Sequence, residues 1–248
     1  MAIGVLLLAL VIMFLLSVAG YFYGIFRKTG AFFDSNGVRI HYIEAGTGTP
    51  IILVHGLAFS EAAEWRAPRL FQKLARRYRV IALDNRGHGK SEKPCDPERY
   101  GLEMVEDIVR LMDHLGMAKA HVLGYSLGGF IVLKCMLRHP ERLLSAMPCG
   151  AGWTPDPENE LAGLLSLGDD FEQGRGFGRL IDWLQAPEKP LPPVIPRVVD
   201  CVLCRLNNMK ALSCVMRKVG DLVATEEELR GNATPCLAVV GEQDHMRI

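Results

Sequence analysis

The most informative segment of the sequence is Gly124-Tyr125-Ser126-Leu127-Gly128-Gly129, which follows a strand-like run at 121–123 and precedes a helix-like apolar run at 130–133. A G-x-S-x-G pattern between a strand and a helix predicts a sharp turn, because glycine tolerates strained backbone angles and close packing. Such a turn lifts the serine hydroxyl clear of the sheet. We therefore predict that Ser126 is a nucleophile, and that Gly124 and Gly128 support the turn.

Two further motifs lie upstream, each after a run of strand-forming residues. His55-Gly56-Leu57 follows the run 50–54, and the glycine-rich segment 84–91 follows the run 78–83. Short apolar runs bounded by glycine are typical of strands buried on both faces of a parallel sheet. All three motifs then lie at the carboxyl ends of strands, where ligands bind in open α/β sheets. This agreement favours a nucleophile at Ser126 over the alternative, a structural turn of small residues.

These motifs, in this order, resemble the α/β-hydrolase family, in its serine-nucleophile, cap-bearing, esterase- and lipase-like branch. The resemblance covers residues 32–244 and implies a mostly parallel sheet with flanking helices. It further implies hydrolysis of carboxylic esters or related acyl substrates through an acyl-enzyme on Ser126, without cofactor or metal. Epoxide hydrolases and haloalkane dehalogenases share the scaffold but carry an aspartate at the elbow, so Ser126 argues against both.

The same resemblance implies an oxyanion hole. Its donors would be the backbone N–H groups of Leu57 and Leu127, with His55 and Gly56 supporting the turn before Leu57. The alternative for His55-Gly56 is a plain tight turn. Within segment 84–91, His88 is interpreted as a loop-packing residue rather than a base.

A catalytic serine also needs a base and an acid, which follow it in this family in the order acid, then histidine. The apolar run 236–240 predicts a strand, and it ends in Gly241-Glu242-Gln243-Asp244. The resemblance makes Asp244 the acid. Glu242 is the alternative candidate for the acid. The alternative without a catalytic role is that Asp244 is an ordinary solvated carboxylate in a turn. None of the histidines occupies the position of the family's base; they are His41, His55, His88, His114, His121, His139 and His245.

Two interpretations of the missing histidine stay open. In the first, the sequence lacks the last strand and helix of the fold together with the base, and is a piece of a longer enzyme. In the second, it is a non-catalytic ligand-binding or scaffold protein on a hydrolase fold. We favour the first, because the other parts of a serine-hydrolase site, which would serve no purpose without a base, are all present in the sequence.

The amino-terminal segment 2–26 carries no charged side chain. It exceeds the roughly 20 residues that a helix needs to cross a bilayer. Aromatic residues 21–23 suit a membrane interface, and Arg27-Lys28 follow directly. We therefore predict a single-pass anchor over residues 1–28, in contact with the lipid bilayer through residues 2–26.

The alternative is a cleaved signal peptide, since residues 17–19 are small enough for cleavage, and the domain would then be secreted or periplasmic. Arg27-Lys28 instead favour a cytoplasmic domain. Cysteine usage agrees weakly, because an odd number scattered through apolar segments is typical of reduced, buried thiols. Cys201 and Cys204 have the C-x-x-C spacing, but no second pair accompanies them, so no metal site is predicted.

Length and charge set further limits. A chain of 248 residues is within the size of one α/β domain. Lys+Arg and Asp+Glu each total 28, so no electrostatic case exists for nucleic acid. A small, uncharged acyl ester is the favoured partner.

The predicted domain organisation places a helical cap inside the α/β core. The core comprises residues 32–151 and 232–248, and the cap residues 152–231. Strands are predicted at 38–43 and 143–149, and helices at 65–77, 102–115, 161–167 and 177–184, with two or three more, and a hinge, within 198–219. Candidates for lining an apolar acyl pocket, with core packing as the alternative, are Trp183, Leu203, Leu206, Met209 and Met216.

Overall fold

The computed structural model describes residue 24 and residues 30–153, 157–185 and 191–242. Its strands are β1 (Ala31–Asp34), β2 (Arg39–Ala45), β3 (Pro50–Val54), β4 (Arg79–Leu83), β5 (Ala120–Tyr125) and β6 (Leu143–Cys149). Its α-helices are α1 (Leu70–Leu74), α2 (Leu102–His114), α3 (Leu127–Arg138), α4 (Pro157–Glu172), α5 (Gly178–Leu184), α6 (Val194–Leu206), α7 (Met209–Arg217) and α8 (Glu226–Arg230). A π-helical turn spans Ala62–Arg66, and 3-10 turns span Pro97–Arg99, Pro140–Arg142 and Val219–Leu222.

The strands form one sheet in the order β1-β2-β4-β3-β5-β6. Strands β4, β3, β5 and β6 pair in parallel, whereas β2 is antiparallel to both β1 and β4. Alternate residues of β3 serve two separate core clusters, Ile52 and Val54 on one face and Ile51 and Leu53 on the other. Both faces are therefore covered, which is why β3 is a continuous apolar run. The mostly parallel sheet expected from the sequence is confirmed.

A further segment, residues 235–239, lies beside β6 where the sequence predicted a strand. Leu237 N–H donates to Ala146 O and Val239 N–H to Pro148 O, each at 3.0 Å, and the pairing is parallel. Among the described residues, no strand pairs with its other edge. Leu237 and Val239 remain exposed.

The prediction of one helix over residues 65–77 is wrong. The chain instead forms the π-helical turn and the short α1, separated at Arg69, whose φ is 65°. Pro68 accounts for the break, because proline lacks the N–H that a continuing helix needs and its ring clashes with the preceding turn. The break matters for the site, since the π-helical turn carries Glu64.

Helices α4 to α8 follow β6, in the region where the sequence predicted a cap. Within 198–219, where the sequence predicted two or three helices and a hinge, α6 ends at Leu206 and α7 begins at Met209. Asn208 Oδ1 accepts a hydrogen bond from Ala211 N–H at 3.0 Å and so caps α7. Asn207 Nδ2 donates to Ala58 O at 3.1 Å. The end of α6 is thereby tied to the loop that follows β3.

The five residues proposed to line an acyl pocket separate into two groups. Met216 is buried in the main core cluster, and Leu203 and Met209 pack against it. For these three the core-packing alternative is right, because an amphipathic helix turns its apolar face to the core. Leu206 and Trp183 are exposed.

The predicted anchor, residues 1–28, and its bilayer contact through residues 2–26 lie outside the described residues, apart from Gly24. Within the described part of the chain, no helix combines the length and the apolarity needed to span a bilayer.

All cysteines are free thiols. Cys135 and Cys214 are buried as expected, whereas Cys95, Cys201 and Cys236 are exposed, so the expectation of buried thiols is wrong for these three. Cys201 is exposed because α6 leaves one face in solvent, and Cys236 is exposed because one side of the 235–239 segment is not covered.

Candidate active site

Ser126 lies at the turn between β5 and α3. Its backbone angles, φ 53° and ψ −119°, are rare for a residue with a Cβ and cost on the order of 1–3 kcal/mol. Ser126 N–H donates to Cys149 O at 2.8 Å, and Ser126 O accepts from Phe130 N–H at 3.1 Å. Neighbouring elements thus hold the strained residue from both sides, with its side chain half-buried.

Gly124 and Gly128 occupy positions where no larger residue fits. A Cβ on Gly124 would collide with Gly128 O, and a Cβ on Gly128 would collide with Val54 O. Both obstacles are main-chain atoms, which cannot rotate away. The first turn of α3 therefore packs directly on the end of β3.

The turn His55-Gly56-Leu57 follows β3 and lies against Ser126. A Cβ on Gly56 would be 3.4 Å from Ser126 Cβ. Asn85 N–H donates to His55 Nε2 at 3.0 Å, and Asn85 Nδ2 donates to His55 O at 2.8 Å. Because Nε2 accepts, Nδ1 carries the proton and donates to Gly56 O at 2.8 Å. Burial lowers the pKa of His55, so the ring is neutral and both its nitrogens are engaged.

Two backbone N–H groups at this junction, those of Leu57 and Leu127, have no hydrogen-bond partner among the described residues. Leu127 opens α3, where first-turn N–H groups lack intrahelical acceptors and favour negative charge. These are the two donors expected for an oxyanion hole. Gly56 N–H, by contrast, is already occupied.

Glu64 occupies the Gly56 N–H. Its Oε2 accepts that hydrogen bond at 2.6 Å and would lie 3.5 Å from a Cβ on Gly56. The carboxylate and Ser126 therefore flank the same glycine. Burial raises the pKa of Glu64 to about 6, against the opposing effect of the Gly56 hydrogen bond.

Asp84 organises a buried polar network next to the turn. Its carboxylate accepts from His41 Nδ1 at 2.9 Å, from Glu61 N–H at 2.8 Å and from Lys90 N–H at 2.9 Å. Burial alone would raise the pKa of Asp84, but these hydrogen bonds and the nearby His55 lower it overall. The network holds the loop after β4 in place.

His41, Glu61 and Asp84 also offer atoms within 4.8 Å of one another, an arrangement able to hold a metal ion. Glu61, however, is bound to Arg66 through two hydrogen bonds of 2.7 Å. An ion there would have to displace Arg66 from a buried pair. The cluster therefore serves the described fold as a buried polar network, in which His41 Nε2 is left without a hydrogen-bond partner among the described residues.

No described histidine forms a hydrogen bond with Ser126 Oγ. His88 is buried, its Nδ1 lies 3.1 Å from Arg86 O, and burial lowers its pKa to about 3, which suits the loop-packing role expected for it. The remaining histidines in the described ranges bond elsewhere: His41 to Asp84, His114 to Tyr42, His121 to Ser145 and His139 to Glu106.

The predicted acid, Asp244, lies outside the described residues, as does His245. Its alternative, Glu242, is exposed. Gly150 N–H donates to Val239 O at 2.8 Å, one residue from the Cys149 carbonyl that receives the Ser126 N–H. The described chain thus reaches, at Val239, the carboxyl end of β6, next to the carbonyl that holds Ser126.

A family model for the alpha/beta hydrolase fold matches residues 49–191. The matched region includes the His55-Gly56 turn, the loop after β4 and the turn at Ser126, and it is more than half of the chain. The chain belongs to the α/β-hydrolase family.

Bifunctional epoxide hydrolase 2 of Sus scrofa is 34% identical over 126 residues, which are 50% of this chain and 22% of that protein. A 2-hydroxymuconate semialdehyde hydrolase of Pseudomonas sp. is 33% identical over 126 residues, 50% of this chain and 44% of that protein. The match spans less than half the length of these curated relatives. A solved membrane phospholipase A, described as a bacterial virulence factor, has a TM-score of 0.63 and 25% identity, covering 98% of this chain and 82% of its own.

Sequence reasoning missed Glu64 and Asn85. Asn85 is the second residue after β4, and that position near the carboxyl end of a parallel strand is a signal that could have found it. Glu64 lies eight residues after Gly56, one residue before the segment predicted as a helix. No pattern at that spacing links a carboxylate to a turn N–H.

Proposed function

We propose that this chain carries the active site of a serine hydrolase acting on carboxylic esters or related acyl substrates. The observation that carries the proposal is Ser126, held at φ 53° beside the unpaired N–H groups of Leu57 and Leu127. A strained serine next to two such dipoles suits acyl transfer. Relatives that are named hydrolases support the reaction class, and a serine at the elbow favours acyl substrates over epoxides.

In the proposed reaction, Ser126 Oγ attacks the acyl carbon and its proton passes to a base. The carbonyl oxygen becomes negative and accepts hydrogen bonds from Leu57 and Leu127 N–H, each worth about 3–4 kcal/mol in a well-formed hole. The carbonyl then re-forms, the C–O bond to the alcohol breaks, and the alcohol takes the proton from the base. Water attacks the acyl-enzyme by the same route and releases the acid and Ser126.

The base is the component that the described residues do not supply. A serine hydroxyl is a weak nucleophile without one. We infer that a histidine outside the described residues completes the site, with Asp244 as the acid that orients it.

Acetylation by p-nitrophenyl acetate tests the proposal. We expect an acetyl adduct on Ser126, found by peptide mass spectrometry, which accumulates because its hydrolysis needs the same base. Ser126→Ala should abolish the adduct. Ser166→Ala, which removes a hydroxyl bonded to Ala162 O within α4, should not. Adducts only at other residues, or none, would favour a non-catalytic ligand-binding protein.

We also infer that residues 2–26 hold the domain at a lipid bilayer. The uncharged character of this run and the similarity to a membrane phospholipase A support the inference. Deleting residues 1–28 should convert a detergent-requiring protein into a soluble or salt-extractable one. Recovery of a mature chain that begins near Gly20 would instead indicate a cleaved signal peptide.

A further inference from the structure

Glu64 has one carboxylate oxygen fixed and one free. Oε2 accepts the Gly56 N–H at 2.6 Å. Oε1 has no partner among the described residues, yet it is not one of the buried unpaired polar atoms, so it reaches solvent. The fixed oxygen holds the free one in a defined place at little cost in side-chain entropy.

No described cation neutralises this carboxylate. Burial and the Gly56 hydrogen bond are the influences on its pKa, and no charged neighbour contributes. Arg66, on the same π-helical turn, is paired with Glu61, and His41, behind the turn, is paired with Asp84. A half-buried carboxylate without a counter-charge is a site that a cationic or donor group can fill.

The position of Glu64 relates it to the acyl site. Glu64 Oε2 and Ser126 Cβ lie within 3.5 Å and 3.4 Å of one point, the place of a Cβ on Gly56. A substrate whose carbonyl carbon is at Ser126 therefore has part of its structure close to the carboxylate. The interaction of a carboxylate with a charged substrate group that comes within a few ångströms of it in a partly desolvated site is strong enough to select substrates.

We propose that Glu64 forms an anionic subsite beside Ser126 that binds an ammonium or other hydrogen-bond donor of the substrate and rejects a carboxylate. The proposal rests on the proposed function, because it assigns a substrate class to the same site. Oε1 accepts the donor, while Oε2 remains on Gly56 N–H. Esters with a cationic or hydroxyl-bearing group near the scissile bond are the class that fits.

Binding of hexylammonium and hexanoate to the full chain in neutral detergent tests the subsite without turnover. The readout is the amide signal of Gly56 in protein labelled with ¹⁵N-glycine, because that N–H is bonded to Glu64. We expect hexylammonium to shift this signal and to bind at least roughly tenfold more tightly than hexanoate. Glu64→Gln keeps an acceptor for Gly56 N–H but removes the charge, so the preference should disappear. Glu227→Gln, which removes an exposed acid on α8, should leave it intact.

Equal binding of the two amphiphiles, or a preference that persists in Glu64→Gln, would overturn the subsite. The acetylation of Ser126 separates this from the proposed function. A Ser126 adduct without the ammonium preference would contradict the proposed subsite and support the proposed hydrolase activity. An ammonium preference that depends on Glu64, without a Ser126 adduct, would support the proposed subsite and contradict the proposed hydrolase activity.

Discussion

Ser126 holds backbone strain that a glycine would release. At φ 53° a residue with a Cβ is strained by on the order of 1–3 kcal/mol, whereas glycine loses about 0.5–1 kcal/mol through its freer unfolded chain. We therefore expect Ser126→Gly to unfold with a free energy about 1 kcal/mol larger than that of Ser126→Ala. Urea unfolding of the two variants measures the difference. An alanine variant as stable as the glycine variant would contradict the strain.

Glu64 makes stability depend on pH in an unusual direction for a carboxylate. Its folded pKa of about 6 is above the ordinary value of 4.5, so its stabilising contribution is complete below 4.5 and is lost as the pH rises through 6. We expect Glu64→Gln to be more stable than the natural chain at pH 7.5, by up to about 2 kcal/mol, and the difference to vanish near pH 4.5. Urea unfolding between pH 4.5 and 7.5 measures the difference in unfolding free energy, with Glu227→Gln as control.

No difference between Glu64→Gln and the natural chain at pH 7.5, or a difference that grows toward acid, would show that burial does not raise the Glu64 pKa. The comparison isolates Glu64, because every other acid titrates in both proteins.

The sequence was sufficient for Ser126 and its turn because the chemistry there is local. A glycine on each side of the serine, between a strand and a helix, permits few other conformations. It was insufficient for Glu64, whose partner belongs to another element and whose position depends on a π-helical turn. Asp244 stays a prediction.

Close contact between helix α3 and strand β3 depends on Gly128. Gly128→Ala would press a Cβ on Val54 O, a main-chain atom, and we expect it to destabilise the fold by about 3 kcal/mol or more. Gly163→Ala is the matched control, since nothing lies within 4 Å of a Cβ at that exposed helical position. It should be neutral or stabilising by up to about 1 kcal/mol. Urea unfolding of both variants measures the contrast, and equal effects would contradict the close approach.

The elements that could be predicted are those whose signal lies within one run of residues. Strands β3, β4 and β6 follow from short apolar runs. The helix over 65–77 failed because the apolar pattern outweighed Pro68, which ends helices. Met216 could not be assigned to pocket or core, because either use gives the same spacing along a helix.

The 235–239 segment leaves an apolar surface of the molecule exposed. Leu237 is 63% exposed, and unpaired strand edges promote association. We expect the chain to self-associate through this segment and Leu237→Lys to reduce its mass in analytical ultracentrifugation in neutral detergent. Leu184→Lys, at a leucine that is 74% exposed on α5, should not. A monomeric natural chain, or equal effects of the two lysines, would contradict this.

The rate at which a neutral fluorophosphonate labels Ser126 tests whether the fold aims the Ser126 hydroxyl at an acyl centre beside the Leu57 and Leu127 N–H groups. We expect one adduct, on Ser126. It should form slowly, because no described base assists, yet faster in the folded chain than in urea, because the two donors stabilise the developing charge. Equal rates in the folded and unfolded chain, or labelling that survives Ser126→Ala, would contradict it.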